Sequence, residues 1–239
     1  MKIRVAYTKK KEARYIAHLD LTRVFDRALR RTGIEVAYSE GFNPHPKIAF
    51  GPPLPVGVEG EREYVDIGIK VTSDNDEHSF VDKALQLLQK QLPEGIEIVD
   101  FSILPQGNKA LMAVINQACY RAEVPFLEPI DVHAFTAACE DWLAREEVLS
   151  IRNQKGKKVT RNIRPFVRTI SVLSQESPLR YWLRLDIKTG NDGSVRPVEV
   201  LESISTLEGI KIDLDGLFII RDGVYILKDD GEQLTPLDY

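Results

Sequence analysis

Within the first thirty-two residues the apolar positions change period, and this change restricts the possible folds more than any other feature of the chain. Ile3, Val5 and Tyr7 recur at every second position, the period of a half-buried strand. From His18 to Thr32 the apolar residues Leu21, Val24, Phe25 and Ala28 recur at helical spacing, and Gly33 supplies a stop signal. A chain that begins this way must lay a helix against a sheet. Further strands are expected at 34–38, at 47–50 and at Tyr64-Val65-Asp66-Ile67-Gly68-Ile69. A second helix is expected over 77–91, stopping at Leu92-Pro93, and a strand from Gly95 through Ile103. The order strand, helix, strand, strand, helix, strand is that of a ferredoxin-like unit with its helices on one face.

After a linker at Pro105-Gln106-Gly107-Asn108-Lys109 the order repeats with additions. A strand is expected at 113–124 and a helix at 131–145. A hairpin follows at 147–152 and 158–163, with a basic tip over Asn153-Gln154-Lys155-Gly156-Lys157. Strands at 166–173 and 180–188 come next, then a helix from Pro197 to Thr206, with proline in its favoured first turn. Two short strands, 217–220 and 223–228, are expected to turn at Arg221-Asp222-Gly223. The expected fold class is therefore α+β, with duplicated ferredoxin-like (βαββαβ) halves, the second elaborated by extra antiparallel strands. The domains are expected at 1–104 and 110–239. The duplication rests on element order, since no residue-level repeat is visible.

No stretch of the 239 residues approaches about 18 uninterrupted apolar positions, and the N-terminal segment is strand-like, so neither a membrane span nor a signal peptide is expected. Only two cysteines occur, Cys119 and Cys139, too few for a disulfide framework and in keeping with a reduced, cytoplasmic setting.

The net charge of −4 conceals two basic blocks. Residues 1–50 carry 11 Lys/Arg against 5 Asp/Glu, and residues 152–168 carry 7 Lys/Arg and no acid, leaving 14 basic and 31 acidic residues elsewhere. Such a division suits a molecule that meets phosphate on one face while the rest keeps it soluble. In the first block Arg23, Arg27, Arg30 and Arg31 fall on the outer face of the expected helix, opposite its apolar stripe. Their planar guanidinium groups fit phosphate, although Asp20 and Asp26 lie at the right spacing to pair with Arg23 and Arg30 instead. In the second block Lys155, Lys157 and Lys158 with Arg161 form the expected hairpin tip, and Arg164 precedes Pro165 as Arg196 precedes Pro197.

Residues 39–60 hold 5 of the 13 prolines and 4 of the 15 glycines, which makes this a shaped loop rather than a floppy one. Within it His45, clamped between Pro44 and Pro46, and Lys47 are the natural polar reagents. His45 or His18 would serve as acid and base in a metal-independent ribonuclease. The four histidines share no metal-ligand spacing, and no glycine loop ends in Gly-Lys-Ser/Thr, so no metal, nucleotide or other cofactor is expected.

Tyr15-Ile16-Ala17-His18-Leu19-Asp20-Leu21, the run at 27–31, Ser39 through Lys47 and Leu54-Pro55-Val56-Gly57-Val58-Glu59 together resemble the radical SAM-linked family of uncharacterised bacterial proteins. Ile163-Arg164-Pro165 and Val195 through Leu201 resemble its second-half motifs, so the likeness covers nearly the whole chain. Ala17 stands where that family usually shows serine. The resemblance implies a radical SAM protein as partner. This chain cannot itself be that enzyme, whose cluster needs three closely spaced cysteines. The expected function is an accessory RNA-binding module, without catalytic activity of its own, that presents a structured RNA to the partner for modification or maturation. The alternatives are an endoribonuclease of the repeat-associated Cas6 type, by analogy of fold, and a protein-only adaptor.

Overall fold

The last residues of the chain return to its first ones. The chain divides into two compact units, one made of Met1–Ile115 with Gly223–Tyr239 and the other of Asn116–Asp222. The computed structural model describes residues 1–70, 76–154, 157–190 and 193–239, with the backbone alone at 152–154 and 157. It is a mixed α+β chain whose named strand pairs are antiparallel.

The first unit contains β1 (Lys2–Lys9), a 3-10 turn (Lys11–Tyr15), α1 (His18–Thr32), β2 (Ile48–Phe50), β3 (Glu59–Gly68), α2 (Glu77–Gln89), β4 (Ile98–Leu104) and the short α3 (Leu111–Val114). Strand β1 lies between β3 and β4, with Val5 opposite both Val65 and Phe101, and β2 pairs with β3, Ile48 opposite Ile67. Ile3, Val5 and Tyr7 pack with Val65 and Ile67 against Leu21, Phe25, Ala28 and Leu29 of α1 and Val81, Leu85 and Leu88 of α2. Each large side chain fully buried in this way contributes about 1.5–3 kcal/mol. Helix α1 has the bounds that its periodicity implies, and it ends where Gly33 takes a left-handed φ of 74°. Asp76 caps α2 by accepting from the Ser79 N–H.

Strand β1 is not half-buried as its alternation suggests. Its second face is covered as well, because Arg4 reaches across it to Asp66, to Asn108, and to the backbone carbonyls of Lys109 and Pro236. Residues 34–38 do not form a strand but make single bridges, Val36 with Ile69 and Tyr38 with Pro46. A regular ladder is interrupted there because Pro46 has no N–H to give.

The second unit contains β5 (Gln117–Pro125), α4 (Val132–Ala144), β6 (Leu149–Gln154), β7 (Lys157–Asn162), a 3-10 turn (Arg164–Phe166), β8 (Val167–Ser177), β9 (Arg180–Lys188) and α5 (Pro197–Leu207). Strand β9 pairs with β5 on one side and β8 on the other, while β6 and β7 form a separate hairpin. Tyr181, Leu183, Leu185 and Ile187 of β9 are fully buried, as are Phe135 and Trp142 of α4, and the Trp142 indole N–H donates to Ser203 Oγ of α5 at 2.8 Å. The expected strand at 113–124 starts later, because Leu111–Val114 closes a helical turn first.

The turn expected at Arg221-Asp222-Gly223 is absent. The structure has one continuous strand, β10 (Phe218–Leu227), whose residues from Gly223 onward belong to the first unit and carry β11 (Gln233–Leu234). Gly223 has a close-approach role rather than a turning one, for a Cβ there would stand 3.0 Å from the Tyr225 hydroxyl. The last seventeen residues, expected in a domain spanning 110–239, thus pack with the first unit.

Candidate nucleic-acid interface

In the first unit, residues 37–47 form an arm beside β3. The Ser39 N–H donates to the His45 carbonyl at 2.8 Å, and the His45 N–H donates to Ser39 Oγ at 2.9 Å, tying the two sides together. The base of the arm is fastened to β3 because Ala37 N–H donates to the Gly68 carbonyl and Gly68 N–H to the Lys47 carbonyl, each at 2.8 Å. Glycine at 68 eases this contact, since a Cβ would stand 3.0 Å from Lys47 Cβ and 3.1 Å from Ala37 Cβ and the neighbours would have to give by a few tenths of an ångström. The arm walls a cleft of about 730 Å³, within the usual size of a ligand site, whose polar lining includes Lys2, Ser39, His45, Lys47 and Asp66. At the tip, three residues from both Ser39 and His45, the Phe42 ring is fully exposed.

The floor of the cleft is electrostatically committed. Asp66 is only 1% exposed, and its carboxylate receives Arg4 Nε at 2.7 Å, Arg4 Nη2 at 3.1 Å and Lys2 Nζ at 2.8 Å. Arg4 is wholly buried and spends its guanidinium on that carboxylate and on neighbouring carbonyl and amide oxygens. Counting the lining side chains Lys2 and Lys47 against Asp66, the cleft has a surplus of one positive charge, and its carboxylate is satisfied by Lys2 and by the buried Arg4. Such a site attracts an anion and has no free acid to repel it.

The structure therefore brings His45 and Lys47 into one cleft. It leaves His18 out of it: His18 opens α1 and lines a separate cavity of about 10 Å³, room for one water, with Tyr7, Lys9 and Glu63. Burial, and next the nearby Lys9 ammonium, lower the His18 pKa below 6.5. On α1, Arg23 and Arg30 stand out in solvent, 69% and 62% exposed, paired to Asp20 at 2.8 Å and Asp26 at 3.1 Å. Arg31 donates to the side chain and carbonyl of Gln91, and Arg27 is exposed with no partner among the described residues.

In the second unit Lys158 is exposed, whereas Lys155 and the side chain of Lys157 lie outside the described residues. Arg161 pairs with the buried Glu199 at 3.1 Å and lies over the Phe166 ring. Arg164 donates to the Leu143 carbonyl at 2.6 and 2.9 Å and to the Val167 carbonyl at 2.7 Å, with its guanidinium over Trp142. Glu199 also holds Arg196, so the two Arg-Pro segments both serve the packing of this unit. Lys2, Arg4 and Asp66 escaped the reading of the sequence, yet an acid at the middle of the apolar run Tyr64–Ile69 was a signal for them. Among the described residues no group of three His, Cys, Asp or Glu is placed to hold a metal, and no helix is long and apolar enough to cross a membrane.

Residues 2–197 match a family described as an uncharacterized protein conserved in bacteria, DUF2344. No curated protein matches the chain. Among solved structures, a chain in the crystal structure of a Cbf5–Nop10–Gar1 complex aligns over 91% of this chain and 47% of its own length, at 13% identity and a TM-score of 0.50. A chain of the archaeal box H/ACA sRNP Nop10–Cbf5 complex aligns over 91% and 46%, at 12% identity and a TM-score of 0.46. An unknown protein from Galdieria sulphuraria aligns over 89% and 95%, at 12% identity and a TM-score of 0.23. The chain spans about half the length of the first two, and the first likeness is one of fold alone.

Proposed function

The chain belongs to DUF2344, whose description assigns no activity, and from its own cleft we propose that it is an accessory RNA-binding module. The observation that carries this reading is the cleft beside the arm, where an exposed Lys47 and a partly exposed Lys2 stand around the Asp66 carboxylate, which Lys2 and the buried Arg4 both hold. Phosphate is the anion such a site suits, and Arg23, Arg27 and Arg30 on the solvent side of α1 are further exposed cations of the same unit. On the second unit, Lys158 of the hairpin is likewise an exposed cation.

The partner in this reading is a radical SAM protein acting in RNA modification or maturation, on the strength of the motif run at 15–59. The cysteines fit that division of labour. Burial pushes the Cys119 thiol up to about 11 and the Cys139 thiol up to about 12, so neither is a ready thiolate for a cluster, and both are free, as in a reducing cytoplasm. We also read the fold as duplicated ferredoxin-like. In the first unit β2 lies beside β3, β3 beside β1 and β1 beside β4, and in the second β8 lies beside β9 and β9 beside β5, with α4 and α5 in the matching places.

The test is binding of a fluorescent structured RNA to the full chain across a salt series, with Lys2→Glu/Lys47→Glu beside wild type. The expected result is affinity that falls steeply with salt and a loss of at least about tenfold in the variant. Equal binding by both proteins would overturn the cleft as the RNA site, and no binding at low salt would favour the protein-only adaptor. A second reading, the endoribonuclease, is favoured by the placement of His45 and Lys47 in one cleft. Metal-independent cleavage by wild type that His45→Ala abolishes would establish it.

A further inference from the structure

The tip of the arm adds a recognition element that charge alone does not supply. Single exposed apolar side chains are common on protein surfaces. Phe42 differs in what holds it. Its arm is closed by the reciprocal Ser39–His45 hydrogen bonds, and Pro44 and Pro46 fix φ on one side. A fully exposed ring is therefore carried on a braced support, and ordering it against a ligand costs little further entropy. The residues that brace it, Ser39 and His45, are also walls of the cleft, so the ring and the lysines belong to one construction.

A planar aromatic surface beside a cationic cleft fits a nucleotide whose base has left its stack. In a duplex both faces of each interior base are covered by neighbouring bases, whereas a loop, bulge or single strand leaves a face open to an aromatic side chain. Resting on the RNA-binding reading, we propose that arm and cleft together recognise an unpaired nucleotide, its base stacked on Phe42 and its phosphate on Lys2 and Lys47. The module thereby selects single-stranded or looped RNA and holds one nucleotide out of the helix.

Fluorescence anisotropy at one fixed salt concentration tests this on the full chain, with a ten-nucleotide single-stranded RNA compared with a blunt duplex of the same length. Wild type is expected to prefer the single strand at least about tenfold, Phe42→Ala to lose about tenfold on the single strand but nothing on the duplex, and Phe42→Trp to restore it. A 2-aminopurine within the single strand should be quenched by wild type and not by Phe42→Ala. Equal affinity for the two RNAs, or a single-strand affinity that Phe42→Ala leaves unchanged, overturns this inference while the RNA reading stands. Absence of binding to either RNA at low salt overturns the RNA reading itself. Because the ring touches no core, an unchanged melting temperature for Phe42→Ala shows that any loss is one of recognition.

Discussion

On α1 of the first unit, Arg23 and Arg30 stand in solvent with carboxylate partners one turn away, and Arg27 beside them has none among the described residues. In the second unit Arg161 and Arg164 turn inward, the one onto buried Glu199 and the other onto three backbone contacts beneath Trp142. These arginines come from two basic blocks of the sequence and have opposite uses in the fold. What separates them is geometry. A helix with one apolar stripe sends every residue of the opposite face outward, whereas the 3-10 turn at Arg164–Phe166 lets a long side chain fold back and cap the end of α4. An arginine count measures potential ligands of phosphate, and the local backbone decides which of them are free to act.

The comparison is broken most forcefully at Arg164. Arg164→Ala leaves the Leu143 and Val167 carbonyls without their charged donor and removes the stacking over Trp142, so unfolding in urea should show a loss of about 2–3 kcal/mol. A loss below about 0.5 kcal/mol would place Arg164 with the surface arginines. On α1 the opposite pattern is expected: Arg27→Glu/Arg30→Glu should weaken RNA binding by about tenfold and reduce its salt slope, with stability changed by less than about 1 kcal/mol. Unaltered RNA affinity would confine recognition to the cleft.

A smaller effect concerns His18 at the head of the same helix. Burial, then Lys9, hold its folded pKa below 6.5, so the unfolded chain takes up the proton first as pH falls. The stability attached to the neutral imidazole is complete above about pH 6.5 and is lost as pH falls through the folded pKa. His18→Gln should flatten the stability profile in that window, and a profile identical to wild type would show that the slope belongs to another group. The smallest effect is expected at Arg23→Ala, which breaks an exposed pair and should move the melting free energy by about 0.5 kcal/mol or less.

Much of the architecture was legible because local signals agreed with it. The bounds of α1 follow from its stripe and Gly33, and the start of α5 from Pro197. Strand β10 was misread because Asp-Gly is a strong turn signal on its own, and only packing reveals that Gly223 makes room for Tyr225. Within the cleft, His45 and Lys47 were visible through the prolines around them. Asp66 was not, since its meaning comes from Arg4, 62 residues away, a pairing that no local pattern encodes. The exposed ring of Phe42 likewise reads as an ordinary apolar residue until the fold shows that nothing covers it.

The bond from Arg4 to the Pro236 carbonyl spans 232 residues, and the whole second unit lies between its ends. On a ribosome adding about 5–20 residues per second, the acceptor emerges on the order of 10–50 s after the donor. During that interval the inserted unit is synthesised in full while its host still lacks the strand that completes it. The N-terminal segment is thus made first and finished last, and it is this unfinished stage, rather than the mature protein, that has most to gain from a chaperone.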